Sequence, residues 1–418
     1  MKGKVMRRWD ILLIVSISFL LIGCTIQGEK KNSSNSGKKN LKLVQKFNKK
    51  SLDDNEKEKN LIYNQIKNMS LDEKIGQMFI LGFEGYERNQ EIENIIVNKK
   101  IGGMIFFQNN IKNTEQFLNI VNNIKNTNKQ NKIPLFLSID QEGGRVKRLP
   151  KEIKQFPSSY YIGSKNSTEY CFKAGKTTAN QLKAFGLNMN FAPVLDIFSN
   201  PKNTVIGDRA FGKNPGIVKE LSIPNMKGMQ SEGIISVVKH FPGHGDTRED
   251  SHLKLPIINH DLSRLDKFEL VPFKAAIENN CDAVMVAHIL IPHLDKNNPS
   301  SLSKSVVTDL LRKKLGFDGV VITDDINMGA ISKNYGIEKA AVKAVEAGCD
   351  LVLICRNYTQ QLKAIEELKN VVKQGKITEK RIDESVYRIL KLKNKYNLNN
   401  SVINSVDVNK LNKEFMKQ

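Results

Sequence analysis

Eight short apolar runs recur along the chain, each separated from the next by enough residues for a helix. They are IGQMFIL (75–81), IGGMIFF (101–107), PLFLSID (134–140), NMNFAPVLD (188–196), SVVKHFPG (236–243), AVMVAHI (283–289), GVVITDD (319–325) and LVLICR (351–356). Near-continuous apolar runs of this length suit strands buried on both faces, as in a parallel sheet covered by helices. Helical periodicity at 113–129, 169–186 and 337–348 supplies the crossovers that parallel strands need. The count predicts an α/β fold, a TIM (β/α)8 barrel in one domain, with a doubly wound open sheet as the alternative. Two more amphipathic patterns, at 359–375 and 378–396, predict additional carboxyl-terminal helices packed around the outside.

The amino terminus is different in kind. Lys2, Lys4, Arg7 and Arg8 precede an apolar run at 11–23 that is too short to span a bilayer as a permanent helix, the pattern of a signal peptide. It ends in Leu21-Ile22-Gly23-Cys24, the small-residue-then-cysteine pattern of bacterial lipoprotein signals, so Cys24 is the expected lipidation site. Residues 25–60 are rich in Lys, Asn and Ser and too polar to bury a core, which predicts a disordered tether. The expected organisation is therefore signal 1–24, tether 25–60, barrel 61–396 and a tail 397–418. The expected location is extracytoplasmic, anchored to the cell membrane. The formal charge of +21 raises nucleic acid as a partner, but much of the excess lies in the signal, the tether and the lysine-rich helices near the carboxyl end. An exported chain points instead to an anionic envelope, with no nucleic acid partner and a monomeric state. Cys171, Cys281, Cys349 and Cys355 lie in apolar or helical stretches without metal-ligand spacing and read as buried free thiols.

A barrel concentrates its chemistry at the carboxyl ends of its strands. Polar residues gather there: SIDQEGGR after the third run, LDIFSN after the fourth, AHI, TDD and CRN at the sixth to eighth, and VIGDRAFG (205–212) beyond the fourth. The fifth run leads into KHFPGHGDTREDSH (239–252), which holds three of the chain's six histidines. His240, His244, Asp246, Asp250 and His252 suggest metal ligands, yet Pro242 and Gly243 break any helix that would align the imidazoles, and no metal is expected. No G-x-S-x-G elbow follows a strand, which argues against a serine nucleophile. Glycoside hydrolysis needs a carboxylate below the sugar, a proton donor at the leaving oxygen and polar groups to hold hydroxyls. Asp324 or Asp325 could be the nucleophile and the strand-five loop could carry the donor, while Asp140, Arg148, Arg209, Lys239 and His240 could bind hydroxyl or amide groups.

SIDQEGGRVKRL (138–149), NFAPVLDI (190–197), IGDRAFG (206–212), KHFPGHGDTREDSH (239–252) and GVVITDDINMGAI (319–331) resemble the β-N-acetylhexosaminidase branch of glycoside hydrolase family 3. The resemblance runs from LDEKIGQM (71–78) to RILKLK (388–393). It implies that Asp324 is the nucleophile that forms a covalent glycosyl-enzyme and that His252 is the proton donor, tuned by Asp250. It also implies that Asp140, Arg148, Arg209, Lys239 and His240 hold N-acetylglucosamine, and that no cofactor is needed. An imidazole, titrating near ~6.5, can give and take a proton at neutral pH without the burial a carboxyl would require. Gly243 and Gly245 would let the loop swing over the sugar. The expected activity is a retaining exo-β-N-acetylglucosaminidase acting on peptidoglycan fragments. The alternatives are a family relative of other sugar specificity, a phosphorylase, or a sugar-binding lipoprotein without catalysis. Asp325 is expected to be structural, capping the next helix, and His244 and Asp246 to organise the loop. Asp196 and His288 are open between substrate contact and support. Some relatives carry a second domain after the barrel, which this chain is not expected to have.

Overall fold

The computed structural model describes residues 56–247 and 255–417. The signal, Cys24, most of the tether, and Asp250 and His252 with their neighbours lie outside the described residues. From Ile62 onward the chain forms one folded unit built on eight parallel strands. These are β1 Phe79–Leu81, β2 Gly103–Phe106, β3 Phe136–Ile139, β4 Met189–Asn190, β5 Ile235–Phe241, β6 Ala283–Val286, β7 Val320–Thr323 and β8 Val352–Ile354. β1 lies between β2 and β8, and the remaining neighbours follow chain order. Between β7 and β8 the parallel bridge Ile322 to Leu351 and the Thr323 N–H to Leu351 carbonyl bond at 3.0 Å complete the ring. The fold is a TIM barrel.

Every residue of every strand is buried, which is why the runs read as continuous rather than alternating. Two runs are shorter as strands than their sequences suggest. Residues 75–77 of the first belong to the helix Leu71–Gln77, started by a capping box between Ser70 and Glu73, and only Phe79–Leu81 pairs. The fourth is continuous strand only over Met189 and Asn190, and its pairing with β5 resumes as a single bridge from Val194 to Lys239 past Pro193, which has no N–H to give a ladder. The crossover helices lie where the periodicity put them, at Thr114–Asn128, Thr168–Ala184 and Ile337–Ala347. The two outer helices are Tyr358–Lys373 and Glu379–Lys395. Asn113, Ser167, Asn357 and Thr378 each cap the helix that follows by accepting a backbone N–H.

Residues 397–417 do not trail away from the barrel. Asn122 Oδ1 accepts the Ile403 N–H at 3.0 Å, the Phe415 ring lies 4.7 Å from that of Phe156, and Leu411 is buried. All four described cysteines are free and buried. Among the described residues no helix is long and apolar enough to cross a membrane.

At the amino-terminal end of the strands one lysine ties three of them together. Lys393, wholly buried, donates to Gln77 Oε1 at 2.7 Å, to the Gly102 carbonyl at 2.8 Å and to the Pro134 carbonyl at 2.7 Å, immediately before β1, β2 and β3. Burial lowers its pKa, and three acceptors, one for each ammonium hydrogen, offset that cost. Lys393→Met keeps the stem and removes the donors. It should lower stability by about 2–4 kcal/mol, read as a shift in the urea midpoint, with little change in any activity measured on the folded fraction.

Candidate active site

The carboxyl ends of the strands enclose a pocket of about 180 Å³ whose wall includes Asp140, Glu142, Arg148, Arg209, Lys239, His240, His244, Asp324 and Asp325. Its position follows from local bonding. After β3 the chain is locked to β4, since Gln141 N donates to Asn190 Oδ1 and Asn190 Nδ2 donates back to the Gln141 carbonyl, both at 2.9 Å. Gln141 Oε1 in turn accepts the Arg148 N–H at 2.8 Å, closing a loop that presents Asp140, Glu142 and Arg148 on one rim.

A compact ion cluster forms the deepest polar wall. Lys239 Nζ lies 2.6 Å from Asp140 Oδ1 and 2.7 Å from Glu142 Oε1. Arg209 grips Glu142 with two parallel bonds of 2.8 Å, from Nε to Oε2 and from Nη2 to Oε1. Burial opposes the charge on Glu142, but Arg209 and Lys239 overcome it and hold the carboxyl far below the usual range. Burial likewise opposes the charge of Lys239, and Asp140 and Glu142 raise its pKa in spite of it.

Asp196, completely buried, organises the strand-five loop. Its Oδ2 lies 2.6 Å from His240 Nδ1, and its Oδ1 accepts the His244 N–H at 2.6 Å and the His240 N–H at 3.3 Å. Arg209 Nη2 approaches His240 Nε2 at 3.3 Å, which fits the tautomer carrying its proton on Nδ1. Burial pushes the His244 imidazole down to about 4, so it is neutral at physiological pH. Beyond it the loop is fastened through Thr247: Asn203 Nδ2 donates to the His244 carbonyl at 2.7 Å and Asn200 Nδ2 to the Thr247 carbonyl at 3.1 Å. Gly245 serves close approach here rather than a swing, because a Cβ at that position would lie 1.7 Å from the Ile197 carbonyl oxygen.

Asp324 follows β7, with its N–H bonded to the Val286 carbonyl at 3.0 Å and its Oδ1 accepting the Asp325 N–H at 2.8 Å. Burial opposes its ionisation, but His240, His288, the Asp325 N–H and Lys239 lower its pKa, so it is a carboxylate at neutral pH. Asp325 is pushed the other way, up to about 6, by burial and by the charge of Asp324, although the Asn327 and Cys355 N–H groups favour its ionised form. Those bonds, 3.0 Å from Asn327 N and 3.1 Å from Cys355 N to Oδ1, tie β7 to β8. Asp325 is therefore a brace between strands and not the helix cap expected from sequence, since Met328 occupies that position. His288 is buried between Ser301 Oγ at 2.7 Å and the Asp325 carbonyl at 3.0 Å, as a supporting residue under the β7 tip.

The sequence-derived residues Asp140, Arg148, Arg209, Lys239, His240 and Asp324 thus line one pocket. Asp250 and His252 lie outside the described residues. Asp246 organises the loop as expected, accepting from Ser199 and bonding His260 Nε2 at 2.7 Å. Glu142 does not stand out in the sequence. Its only signal is its place two residues beyond Asp140 in a loop with an uncompensated surplus of basic partners. Among the described residues, no group of His, Cys, Asp and Glu is arranged to hold a metal ion.

Comparison with known proteins decides the family. The model of the glycosyl hydrolase family 3 N terminal domain matches residues 70–392. The chain belongs to glycosyl hydrolase family 3. It is a glycoside hydrolase, and proteins named β-hexosaminidase are among its relatives. Beta-hexosaminidase A of Pseudoalteromonas piscicida is 35% identical over 329 residues, covering 73% of this chain and 55% of that protein. The chain thus spans little more than half the length of that relative. Beta-hexosaminidase of Photobacterium profundum is 35% identical over 289 residues, covering 69% of this chain and 84% of that protein. The solved structure of a family 3 β-N-acetylglucosaminidase from Paenibacillus sp. str. FPU-7 superposes with a TM-score of 0.79 at 39% identity, covering 84% of this chain and 68% of that one.

In this family 3 chain, Glu142 is the counter-ion on which two buried cations depend. Glu142→Gln should cost about 3 kcal/mol of stability, seen as a lower thermal midpoint at pH 7. Its folded pKa is depressed, so its contribution is complete above the unfolded value near ~4.3 and is lost as pH falls below it. The gap between wild type and Glu142→Gln should therefore narrow in melts recorded from pH 5 down to pH 3.

Proposed function

We propose that this family 3 glycoside hydrolase is a retaining exo-β-N-acetylglucosaminidase that removes terminal β-linked N-acetylglucosamine from peptidoglycan fragments. The observation that carries the reading is the meeting, in one small pocket, of an ionised Asp324 with the polar wall of Asp140, Arg209, Lys239 and His240. Asp324 attacks the anomeric carbon and forms a glycosyl ester as the glycosidic bond breaks. His252, oriented by Asp250, gives its proton to the departing oxygen, then takes one from the water that hydrolyses the ester. Two displacements at one carbon return the original configuration. The β5 tip supports this assignment, since the loop that continues to Asp250 and His252 starts from His240 and His244 in the pocket wall. A pocket of about 180 Å³ suits a single terminal sugar, hence exo action. The printed names of the relatives support the N-acetylated sugar.

Asp324→Ala should lower kcat on 4-nitrophenyl N-acetyl-β-glucosaminide on the order of 10⁴-fold, while His252→Ala should impair natural disaccharides far more than this activated substrate. Near-normal turnover by Asp324→Ala counts against the nucleophile, and equal losses by His252→Ala on both substrates count against the proton donor.

The extracytoplasmic location and the lipid anchor at Cys24 belong to the same proposal. They rest on the charged start, the short apolar run and the cysteine that ends it. They place the enzyme beside wall material. Cys24→Ser should move the protein from the detergent-extracted membrane fraction to the soluble fraction and abolish labelling by an alkyne fatty acid. Unchanged membrane partition would reject the anchor.

A further inference from the structure

Arg148 is placed in the pocket wall by its backbone rather than by its side chain. Its guanidinium makes one hydrogen bond among the described residues, to the Lys147 carbonyl at 3.3 Å, and its buried Nε has no partner. Where that guanidinium lies is therefore decided by the loop 141–156. The loop is braced across its width. Gln141 Oε1 accepts the N–H groups of Arg148 and Leu149 at 2.8 and 3.2 Å, and Gln141 Nε2 donates to Gln155 Oε1 at 2.9 Å. Gln155 Nε2 returns to the Leu149 carbonyl at 3.1 Å, and the Gly144 N–H donates to the Phe156 carbonyl at 3.0 Å. The limb that carries Arg148 thus takes its position from the limb 150–156. That second limb lies on the surface, with Lys151, Glu152 and Lys154 exposed.

A remote segment holds it there. Asn412, on the helix Val408–Phe415, accepts the Lys154 N–H at Oδ1 and donates from Nδ2 to the Glu152 carbonyl, both at 2.8 Å. One planar amide so satisfies a donor and an acceptor of the same exposed turn. Gln181, on the helix Thr168–Ala184, takes the remaining Lys154 carbonyl at 2.8 Å. Three residues after Asn412, the Phe415 ring lies 4.7 Å from that of Phe156, at the end of the limb. Phe156 belongs to a small apolar cluster apart from the main core, with Ile162, Phe211 and Leu221, and Phe415 packs against it.

The route of the segment explains how it reaches the pocket end. Asn400 bonds Asn128, the Ser401 carbonyl accepts from Lys125 Nζ at 3.0 Å, and Ile403 exchanges two bonds with Asn122. All three partners lie on the helix Thr114–Asn128, which begins beyond the carboxyl end of β2 and returns to the start of β3. Descending numbers along that helix therefore lead toward the rim that carries the chemistry.

We propose that Asn412 is a positioning residue for sugar binding, which holds the turn Glu152–Lys154 and, through Gln155 and Gln141, fixes Arg148 at the pocket wall. The proposal rests on the glycosidase reading above and adds to its site a residue that touches no substrate and lies 260 residues beyond Glu152.

The test measures KM and kcat on 4-nitrophenyl N-acetyl-β-glucosaminide for wild type, Asn412→Ala, Arg148→Gln and the double variant. Asn412→Ala should raise KM about 5-fold and change kcat less than about 2-fold. Added to Arg148→Gln, it should raise KM less than about 2-fold further, because the residue it positions is already gone. Asn412→Asp keeps the acceptor for Lys154 and loses the donor to Glu152, so it should give an intermediate KM and serves where Asn412→Ala does not fold. Lys393→Met, which weakens the opposite end of the barrel, should lower the melting temperature and leave KM unchanged. Wild-type KM in the Asn412 variants or in Arg148→Gln overturns the positioning role and leaves the glycosidase reading standing. Losses that multiply in the double variant, or a raised KM in Lys393→Met to match that of Asn412→Ala, also overturn it, since general loosening of the fold gives both. Wild type inert on this substrate overturns both readings.

Discussion

The carboxylate of Glu142 makes the barrel mouth possible. It neutralises Arg209 through two bonds and Lys239 through a third, and neither cation would be tolerated at that depth alone. Because these residues come from the loop after β3, the loop after β4 and the end of β5, one carboxylate joins three separate parts of the ring. Asp140 takes the second bond of Lys239 and brings it to the surface of the pocket. The cluster is thus a fastening and, under the proposed function, a polar wall for a hydroxylated ligand.

A second buried acid does the same for the strand-five loop. Asp196 receives two backbone N–H groups and the His240 ring, so the residues that precede the proposed donor are fixed before the loop leaves the described region. On the opposite wall the neighbouring Asp324 and Asp325 sit in contrasting environments. Asp324 is surrounded by donors and cationic groups and stays ionised, whereas Asp325 is buried against β8 and is drawn toward the neutral form. That contrast supports the proposal that Asp324 carries the chemistry, while the bonds of Asp325 to Asn327 N and Cys355 N brace β7 to β8.

Much of this was legible from residues in order. The eight runs specify a parallel ring because each strand is covered on both faces, and the rim residues Asp140, Arg209, Lys239, His240 and Asp324 follow from the rule that strand tips carry the polar groups. The shortness of β1 and β4 was not legible. Ile75 and Gly76 are as compatible with a buried helix as with a strand, and only the Ser70–Glu73 cap decides between them. Glu142 was illegible for a related reason. A glutamate in a loop usually faces water, and its burial depends on two cations, Arg209 and Lys239, that lie far along the chain, which local patterning does not register.

The order of strands and helices, the concentration of polar chemistry at one end of the barrel and the motifs that mark the family were all set by the chain's residues in line, because each is written in the spacing of neighbours. Folding alone made Glu142 a counter-ion and Asp325 a brace, and joined the amino-terminal ends of three strands through Lys393. Those roles depend on distances between segments that are remote along the chain. Burial and pairing, which set the energy of a charge, exist only once those segments have met.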